Sequence, residues 1–450
     1  MAKPYTPALM PHSASTPPFW TPSVLLTLAF AALLLAGLAL RFWLATRQVR
    51  HVARHRSAVP AAFAGRIPLA AHQKAADYTI AKTRFGLLEM AISAAVTLGW
   101  TLLGGLDMLN RALLEWLGGG MLQQLALLGA FALIGGLIDL PTTLYKTFVI
   151  EQRFGFNKMT PRLWLGDLLK STLMGAIVGL PIAALILWLM GSAGPVWWLW
   201  AWAVWMGFNL LLMVIYPLFI APLFNKFQPL QDESLKARVT ALMQRCGFAA
   251  KGLFVMDGSR RSAHANAYFT GFGAAKRVVF YDTLLRQLSS GEVEAVLAHE
   301  LGHFKHRHIV KRIVSLFALS LAGFALLGWL STQFWFYTGL GVVPNLMLPG
   351  LAPAAPNDAL ALLLFLLAAP VFTVFISPLF AQISRRHEFE ADAYAMAQAS
   401  GSDLAAALLK LYEDNASTLT PDPVYVKFYY SHPPASERLA RMPTPSPMPS

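Results

Sequence analysis

The chain has 450 residues, of which 56% are hydrophobic and 13% are charged, and its mean hydropathy is +0.51. Soluble domains carry about 25% charged residues, so this composition excludes an ordinary soluble protein and indicates a polytopic membrane protein. The formal net charge is +13, but the basic residues cluster in loops beside apolar segments, which argues against a nucleic-acid partner. A single cysteine, Cys246, excludes an internal disulfide and a cysteine-based zinc site.

Seven apolar runs are long enough to cross a bilayer, which takes about 20 residues as a helix. A Pro/Ser/Thr-rich segment, residues 1–21, precedes the first run and is expected to be disordered. Basic residues follow the first run instead of preceding it, so it is interpreted as an uncleaved helix and not as a signal peptide. The predicted spans lie near residues 24–45, 86–108, 121–142, 168–191, 196–221, 309–338 and 359–381.

The loops alternate in charge and so predict the topology. Basic residues are frequent in loops 46–85 and 143–167 and in two larger polar segments, whereas the intervening loops hold one, Arg111. The positive-inside rule then puts the N-terminus outside and both large segments in the cytoplasm. The predicted division is a membrane part at 22–221, a cytosolic part at 222–308, a membrane part at 309–381, a cytosolic part at 382–442 and a disordered tail at 443–450.

The 222–308 segment has the pattern of a small α+β unit. Residues 231–246 form an amphipathic helical pattern that ends before a glycine. Gly252–Met256 and Arg277–Tyr281 have the composition of short strands, and residues 267–272 are expected to be extended. Further helices are predicted at 382–399 and 402–414. The predicted fold class is therefore mostly α, with seven transmembrane helices and a small cytosolic α+β domain.

One motif in this unit carries chemistry. His299 and His303 are four residues apart, so on a helix they lie on one face and can bind one metal ion. Glu300 lies beside them and is placed to take a proton from an attacking water. Ser289 and Glu292 form a capping-box pattern that predicts the start of this helix. The alternative is a polar patch on a helix without a metal.

A zinc hydrolase site needs a third protein ligand, which is expected from another helix on the same side of the membrane. The best candidates are Glu388 and Asp392, which share one helical face, so that one binds the metal while the other holds a ligand histidine. Glu390 points away from that face and is expected at the solvent or in a salt bridge. His387 and His306 are the alternative candidates for the third ligand. The alternative for Glu388 is a solvated charge beside two arginines.

An ordered series of short segments resembles the integral-membrane zinc metalloproteases of the CAAX prenyl protease 1 family. The matching segments are residues 151–158 (EQRFGFNK), 223–227 (LFNKF), 256–262 (MDGSRRS), 265–269 (ANAYF), 299–303 (HELGH), 388–392 (EFEAD) and 431–433 (SHP). The resemblance implies one Zn²⁺ per chain bound by His299, His303 and Glu388, with Glu300 as the catalytic base and Asp392 supporting a ligand. It also implies that the seven helices enclose a large water-filled chamber, capped by the cytosolic zinc domain.

The same resemblance implies where a substrate binds. Asn266, Ala267 and Tyr268 would form an edge strand along which an extended peptide lies, which agrees with the general way that sheet edges bind peptides. His432 would stabilise the oxyanion, and Arg438 would lie near the end of the substrate. The alternatives are a turn-stabilising asparagine at 266, a structural histidine at 432, and for Arg438 a surface salt bridge with a neighbouring carboxylate.

The predicted function is zinc-dependent hydrolysis of a peptide or protein substrate by a membrane enzyme of the CAAX prenyl protease type. The need for prenylation, the cleavage site and the oligomeric state stay open. The Ala-, Leu- and Arg-rich composition favours a location in a bacterial inner membrane. In a eukaryote, the expected location is the membrane of the endoplasmic reticulum. One alternative is a quality-control protease of the heat-shock type with non-prenylated substrates. The other is a polytopic transporter whose His/Glu cluster is a metal-binding gate.

Overall fold

The structure, a computed structural model, describes residues 20–249, 252–270, 277–345 and 355–443, and it is mostly helical with one small sheet. Of the segments predicted to be disordered, 1–21 and 443–450, residues 1–19 and 444–450 lie outside the described residues.

The first helices are α1 (Pro22–Arg54), α2 (Leu69–Trp100), α3 (Gly105–Leu117), α4 (Met121–Tyr145), α5 (Pro161–Ser192), α6 (Trp197–Ile215) and α7 (Ala221–Phe224). The sheet region contains β1 (Phe227–Pro229), α8 (Glu233–Arg245), β2 (Leu253–Met256), β3 (Ala267–Thr270) and β4 (Arg277–Tyr281). The remaining helices are α9 (Asp282–Gln287), α10 (Ser290–Lys305), α11 (His308–Leu330), α12 (Phe334–Gly339), α13 (Asp358–Thr373), α14 (Ser377–Gln398), α15 (Gly401–Asp414), α16 (Pro423–Tyr429) and α17 (Ala435–Leu439).

Among the described residues, six helices are long and apolar enough to cross a membrane, and the bent pair α2–α3 makes seven if it counts as one span. Many of their large apolar side chains, such as Leu137 and Leu169, stay exposed, as expected of helices that face lipid. The multi-pass architecture is thus confirmed. The predicted second span, residues 86–108, is wrong as a single helix. The chain leaves the helix after Trp100 and reaches Gly104 with a φ of 78°, and α3 then departs at 48° to α2.

Several helices extend beyond the predicted membrane boundaries. The third span continues through a π-helical turn, Lys146–Glu151, so the beginning of the predicted loop 143–167 is helical. The last span continues to Gln398 as one apolar-to-polar helical segment of 41 residues. Hydropathy marks where the apolar side chains end, but the backbone hydrogen bonds of a helix continue until a cap or a turn residue stops them.

The small sheet has the strand order β1-β2-β4-β3, in which β2 is parallel to β4 and β3 pairs antiparallel with β4 at one edge. Its inner face is buried against α10, and Val278 of β4 shares an apolar core with Leu297 of α10. The same core contains Leu404 of α15, so both large polar segments of the chain contribute to one folded unit. The predicted capping box at Ser289 and Glu292 is present at the start of α10.

A sharp break in the backbone separates α10 from α11. Helix α10 ends at Lys305, and Arg307 adopts a left-handed φ of 56° before α11 starts at His308. A non-glycine residue rarely adopts this conformation, because its Cβ crowds the neighbouring carbonyl. The break changes the direction of the chain and returns His308 towards the face of α10 that carries the histidines.

Candidate metal centre

Helices α10 and α14 approach each other closely at Gly302. A Cβ at this position would lie 2.8 Å from the Cα of Ala391, which is closer than side-chain atoms come to a backbone atom. Only glycine therefore permits this packing without a shift of one helix. Glu388 lies one turn before Ala391 on α14, so the close approach brings its carboxylate opposite His299 and His303.

Three predicted ligands converge at this crossing. The Nε2 atoms of His299 and His303 lie 3.3 Å apart, and the Glu388 carboxylate lies 3.5 Å from the first and 3.4 Å from the second. One ligand atom from each of the three residues can be chosen so that all lie within 4.8 Å of one another. His299 and Glu388 are buried, with exposed fractions of 8% and 4%.

These residues fit a metal ion. Two imidazoles and a carboxylate are a common ligand set of catalytic zinc, which keeps a fourth position for water or substrate. The Oε2 atom of Glu388 is buried and accepts no hydrogen bond from the described residues, which is costly for a carboxylate unless a cation is bound there. Burial lowers the pKa of His299, but the neighbouring carboxylates of Asp392 and Glu388 outweigh burial and raise the pKa to about 9. The surroundings of this ring therefore favour positive charge.

A buried ion pair lies directly behind His299. The Asp392 carboxylate lies 2.8 Å from His299 Nδ1, which leaves Nε2 directed at Glu388. The Arg438 guanidinium binds the same carboxylate through two nitrogens, at 2.8 and 2.6 Å. Arg438 is 8% exposed, so it is not the surface salt-bridge residue that the sequence left as an alternative. Its predicted contact with the substrate stays a prediction.

A cavity of about 370 Å³ opens beside the three converging ligands. Its lining includes the predicted base Glu300, the predicted oxyanion donor His432, and Asn266, which directly precedes β3. His432 is largely exposed, and its Nε2 lies 3.4 Å from Glu388. The structure therefore brings the predicted catalytic side chains to the lining of one cavity. Their individual roles stay predictions.

The predicted substrate strand lies next to the same cavity. Ala267 and Tyr268 belong to β3, which pairs with β4 and is the last strand in the order of the sheet. Ala267 also lines the cavity, whereas the Tyr268 hydroxyl points to Met256 at 3.9 Å. The predicted edge strand is thus present at Ala267 and Tyr268, whereas Asn266 directly precedes its first residue. The carbonyl of Asn266 accepts a hydrogen bond from Tyr281, which holds the start of this strand to the sheet.

Sequence reasoning missed a second layer of contacts around His303. Its Nδ1 lies 3.0 Å from Nδ1 of His308, whose Nε2 lies 2.9 Å from Glu390. His387 stacks on His308 with ring centroids 3.9 Å apart, so it is a neighbour of this layer and not of the Glu388 group. Glu390 also pairs with Arg386, as expected of a salt-bridge residue. Helical periodicity could not predict the His303–His308 contact, because the two residues lie on either side of a helix break.

Comparisons with known proteins identify the family of the whole chain. A family model described as the CAAX prenyl protease N-terminal region, with five membrane helices, matches residues 48–226, and the model of peptidase family M48 matches residues 229–445. The chain is 39% identical to a CAAX prenyl protease 1 homolog of Arabidopsis thaliana, covering 71% of this chain and 73% of that protein. It is 37% identical to CAAX prenyl protease 1 of Saccharomyces cerevisiae, covering 71% and 72%. The crystal structure of Ste24p from S. mikatae matches with a TM-score of 0.84 and 32% identity, covering 92% of this chain and 98% of that one. This chain is a multi-pass membrane metalloendopeptidase that belongs to the CAAX prenyl protease 1 family.

Proposed function

We propose that this metalloendopeptidase is a zinc enzyme in which His299, His303 and Glu388 bind the ion and Glu300 activates the attacking water. The observation that carries the proposal is the buried convergence of two imidazoles on a carboxylate, one oxygen of which has no hydrogen-bond donor among the described residues. This arrangement lies beside the cavity that Glu300 lines. Such a ligand set, next to a carboxylate base, is the working arrangement of zinc peptidases.

Each residue of the site then has one chemical role. A zinc ion held by these three residues would supply a Lewis acid, able to polarise a carbonyl group and to lower the pKa of a water molecule to about 7. The Glu300 carboxylate takes a proton from the attacking water and passes it to the leaving amide nitrogen. His432 donates a hydrogen bond to the carbonyl oxygen as negative charge develops on it. Asp392 holds His299 in one tautomer by accepting a hydrogen bond from its Nδ1–H.

The substrate that we propose is an extended peptide near the membrane surface, of the CAAX prenyl protease type. The edge strand β3 supports this class, because an extended peptide can pair with its backbone and present one carbonyl to the neighbouring ligands. The names of the relatives, CAAX prenyl protease 1, support a prenylated C-terminal peptide. The basic loops support an N-terminus outside and an active site in the cytoplasm, in a bacterial inner membrane or the equivalent eukaryotic membrane.

The decisive experiment compares Glu300→Gln with the parent protein, purified at full length in detergent. We expect the variant to retain one zinc per chain and to lose peptide cleavage by about 10²-fold or more, because general base catalysis is worth about that much. Glu294→Gln is the matched control, since it makes the same chemical change on α10 at a carboxylate that binds Arg238 and Arg245 and does not line the cavity. Cleavage by Glu300→Gln at the parent rate would refute the proposal.

The same preparation distinguishes the substrate classes. Farnesylated and unmodified peptides of one sequence are offered in parallel at equal concentration. Preference for the farnesylated peptide supports the CAAX prenyl protease type, whereas equal cleavage of unmodified peptides supports the quality-control alternative. Zinc binding that is lost in His303→Ala, without any cleavage by the parent protein, would be the result expected of a metal-gated transporter.

A further inference from the structure

A second group of metal-ligating side chains lies at the turn between α10 and α11. It consists of His306, His308 and Glu390, whose ligand atoms lie within 4.8 Å of one another. His308 is buried, Glu390 is half-buried and His306 is exposed, so the group is open to solvent on one side. None of these residues has a role in the chemistry proposed above. Two imidazoles and a carboxylate at this separation suit Zn²⁺ or a similar divalent cation.

His308 joins this group to the catalytic ligands. When His303 offers Nε2 to the metal, its proton resides on Nδ1, which then donates to His308 Nδ1 at 3.0 Å. The proton of His308 is consequently on Nε2, which donates to Glu390 at 2.9 Å. His303 is thus oriented by a carboxylate through a second histidine, much as His299 is oriented directly by Asp392.

We propose that His306, His308 and Glu390 form a second divalent-cation site, whose occupation removes the hydrogen bond that orients His303 and thereby inhibits the enzyme. This inference rests on the proposed function, because it assigns a regulatory role to residues beside the same ligands. The site would be filled after the catalytic one. Its exposed ligand, His306, must become ordered, and Arg386 competes for Glu390 at 3.1 Å.

The antagonism between the two sites follows from the chemistry of a neutral imidazole, which has one lone pair and one N–H. A cation on His308 Nε2 transfers the ring proton to Nδ1, which then faces the N–H of His303 at 3.0 Å. A cation on His308 Nδ1 instead uses the lone pair that His303 needs. Either way His303 loses its acceptor, and its Nδ1–H is left unpaired in a partly buried position. Loss of such a supporting hydrogen bond costs about 10- to 100-fold in metal affinity or activity.

The test is a titration of the full-length protein, first loaded with one zinc per chain, with further ZnCl₂. Bound zinc is measured by elemental analysis after equilibrium dialysis, and peptide cleavage is measured on the same samples. We expect a second zinc to bind, the rate of cleavage to fall by about 10- to 100-fold, and the transfer of the first zinc to a chelator to accelerate by a similar factor.

His306→Ala removes one ligand of the second site, and His306 is not one of the three proposed ligands of the catalytic zinc. We expect this variant to cleave normally at one zinc per chain, to bind no second zinc and to resist inhibition. His55→Ala, which removes an exposed histidine at the end of α1, is the control and should behave as the parent.

Three results would overturn the inference: a single zinc at saturation, a second zinc without loss of rate, or equal inhibition of His306→Ala and the parent. Failure of the proposed function is distinguishable, because it would appear as absent cleavage at one zinc per chain, before any excess is added.

Discussion

Replacement of Gly302 by alanine tests whether the close approach of α10 and α14 sets the metal centre. The added Cβ would lie 2.8 Å from Ala391 Cα and 3.0 Å from its carbonyl oxygen, whereas ordinary contacts begin at 3.4 Å. Because both opposing atoms belong to a helix backbone, no side chain can rotate out of the way. The helices must separate by about 0.6 Å, which is the difference between the 3.4 Å of an ordinary contact and the 2.8 Å to Ala391 Cα.

The separation acts on stability and on activity to different extents. Overpacking costs about 1–3 kcal/mol, and the better helix propensity of alanine offsets about 1 kcal/mol of it. The net loss of unfolding free energy is therefore small. The ligands, however, lie on both helices, and misplacement of reacting groups by about 1 Å costs about 10²-fold in rate. We expect kcat/KM to fall by about 10- to 100-fold and the zinc to transfer faster to a chelator.

The assay measures cleavage, zinc content and the thermal midpoint of the full-length protein. Gly166→Ala on α5 is the matched control, because its new Cβ meets no atom within 4 Å. The control should match the parent protein in rate and zinc content. If Gly302→Ala also did so, the close approach of the two helices would not determine the geometry of the site, and the reasoning would be refuted.

Three further predictions concern the residues around the centre and the sheet. Arg438→Met leaves the Asp392 carboxylate buried without its ion pair, and we expect the free energy of unfolding to fall by about 3–5 kcal/mol. Thermal denaturation measures this loss, and an unchanged midpoint would contradict the role of this pair. His432→Ala should lower kcat by about 10²-fold while zinc content stays at one per chain, and zinc loss in this variant would instead indicate that the residue supports Glu388. Burial raises the pKa of Asp282, but its hydrogen bonds from Ser259 outweigh burial and lower the pKa. A carboxyl with a depressed pKa stabilises the fold above its unfolded pKa of about 4 and loses this contribution as the pH falls through the lower folded value. Asp282→Asn should therefore lower the thermal midpoint at pH 7 and flatten its decline below pH 4, and parallel pH profiles of variant and parent would contradict this.

Local patterns predicted most of the elements. The i, i+4 spacing of His299 and His303 and the capping box at Ser289 depend only on helix geometry, and α10 is present with both features. The apolar runs predicted a multi-pass architecture for the same reason, since the length of a run is itself the signal. The boundaries were less accurate, because the glycine break that separates α2 from α3 lies inside an apolar run that hydropathy treats as continuous.

By itself, then, the sequence determined the membrane class, the metal-binding helix and the types of side chain available for chemistry, because each depends on neighbours along the chain. Only the tertiary structure decided how Glu388 meets the histidines, because that contact requires the packing of Gly302 against a second helix. It also decided that Arg438 lies buried behind His299 and that His308 supports His303. These contacts join residues across a helix break or across more than eighty positions, where no periodicity along the chain records which atoms will meet.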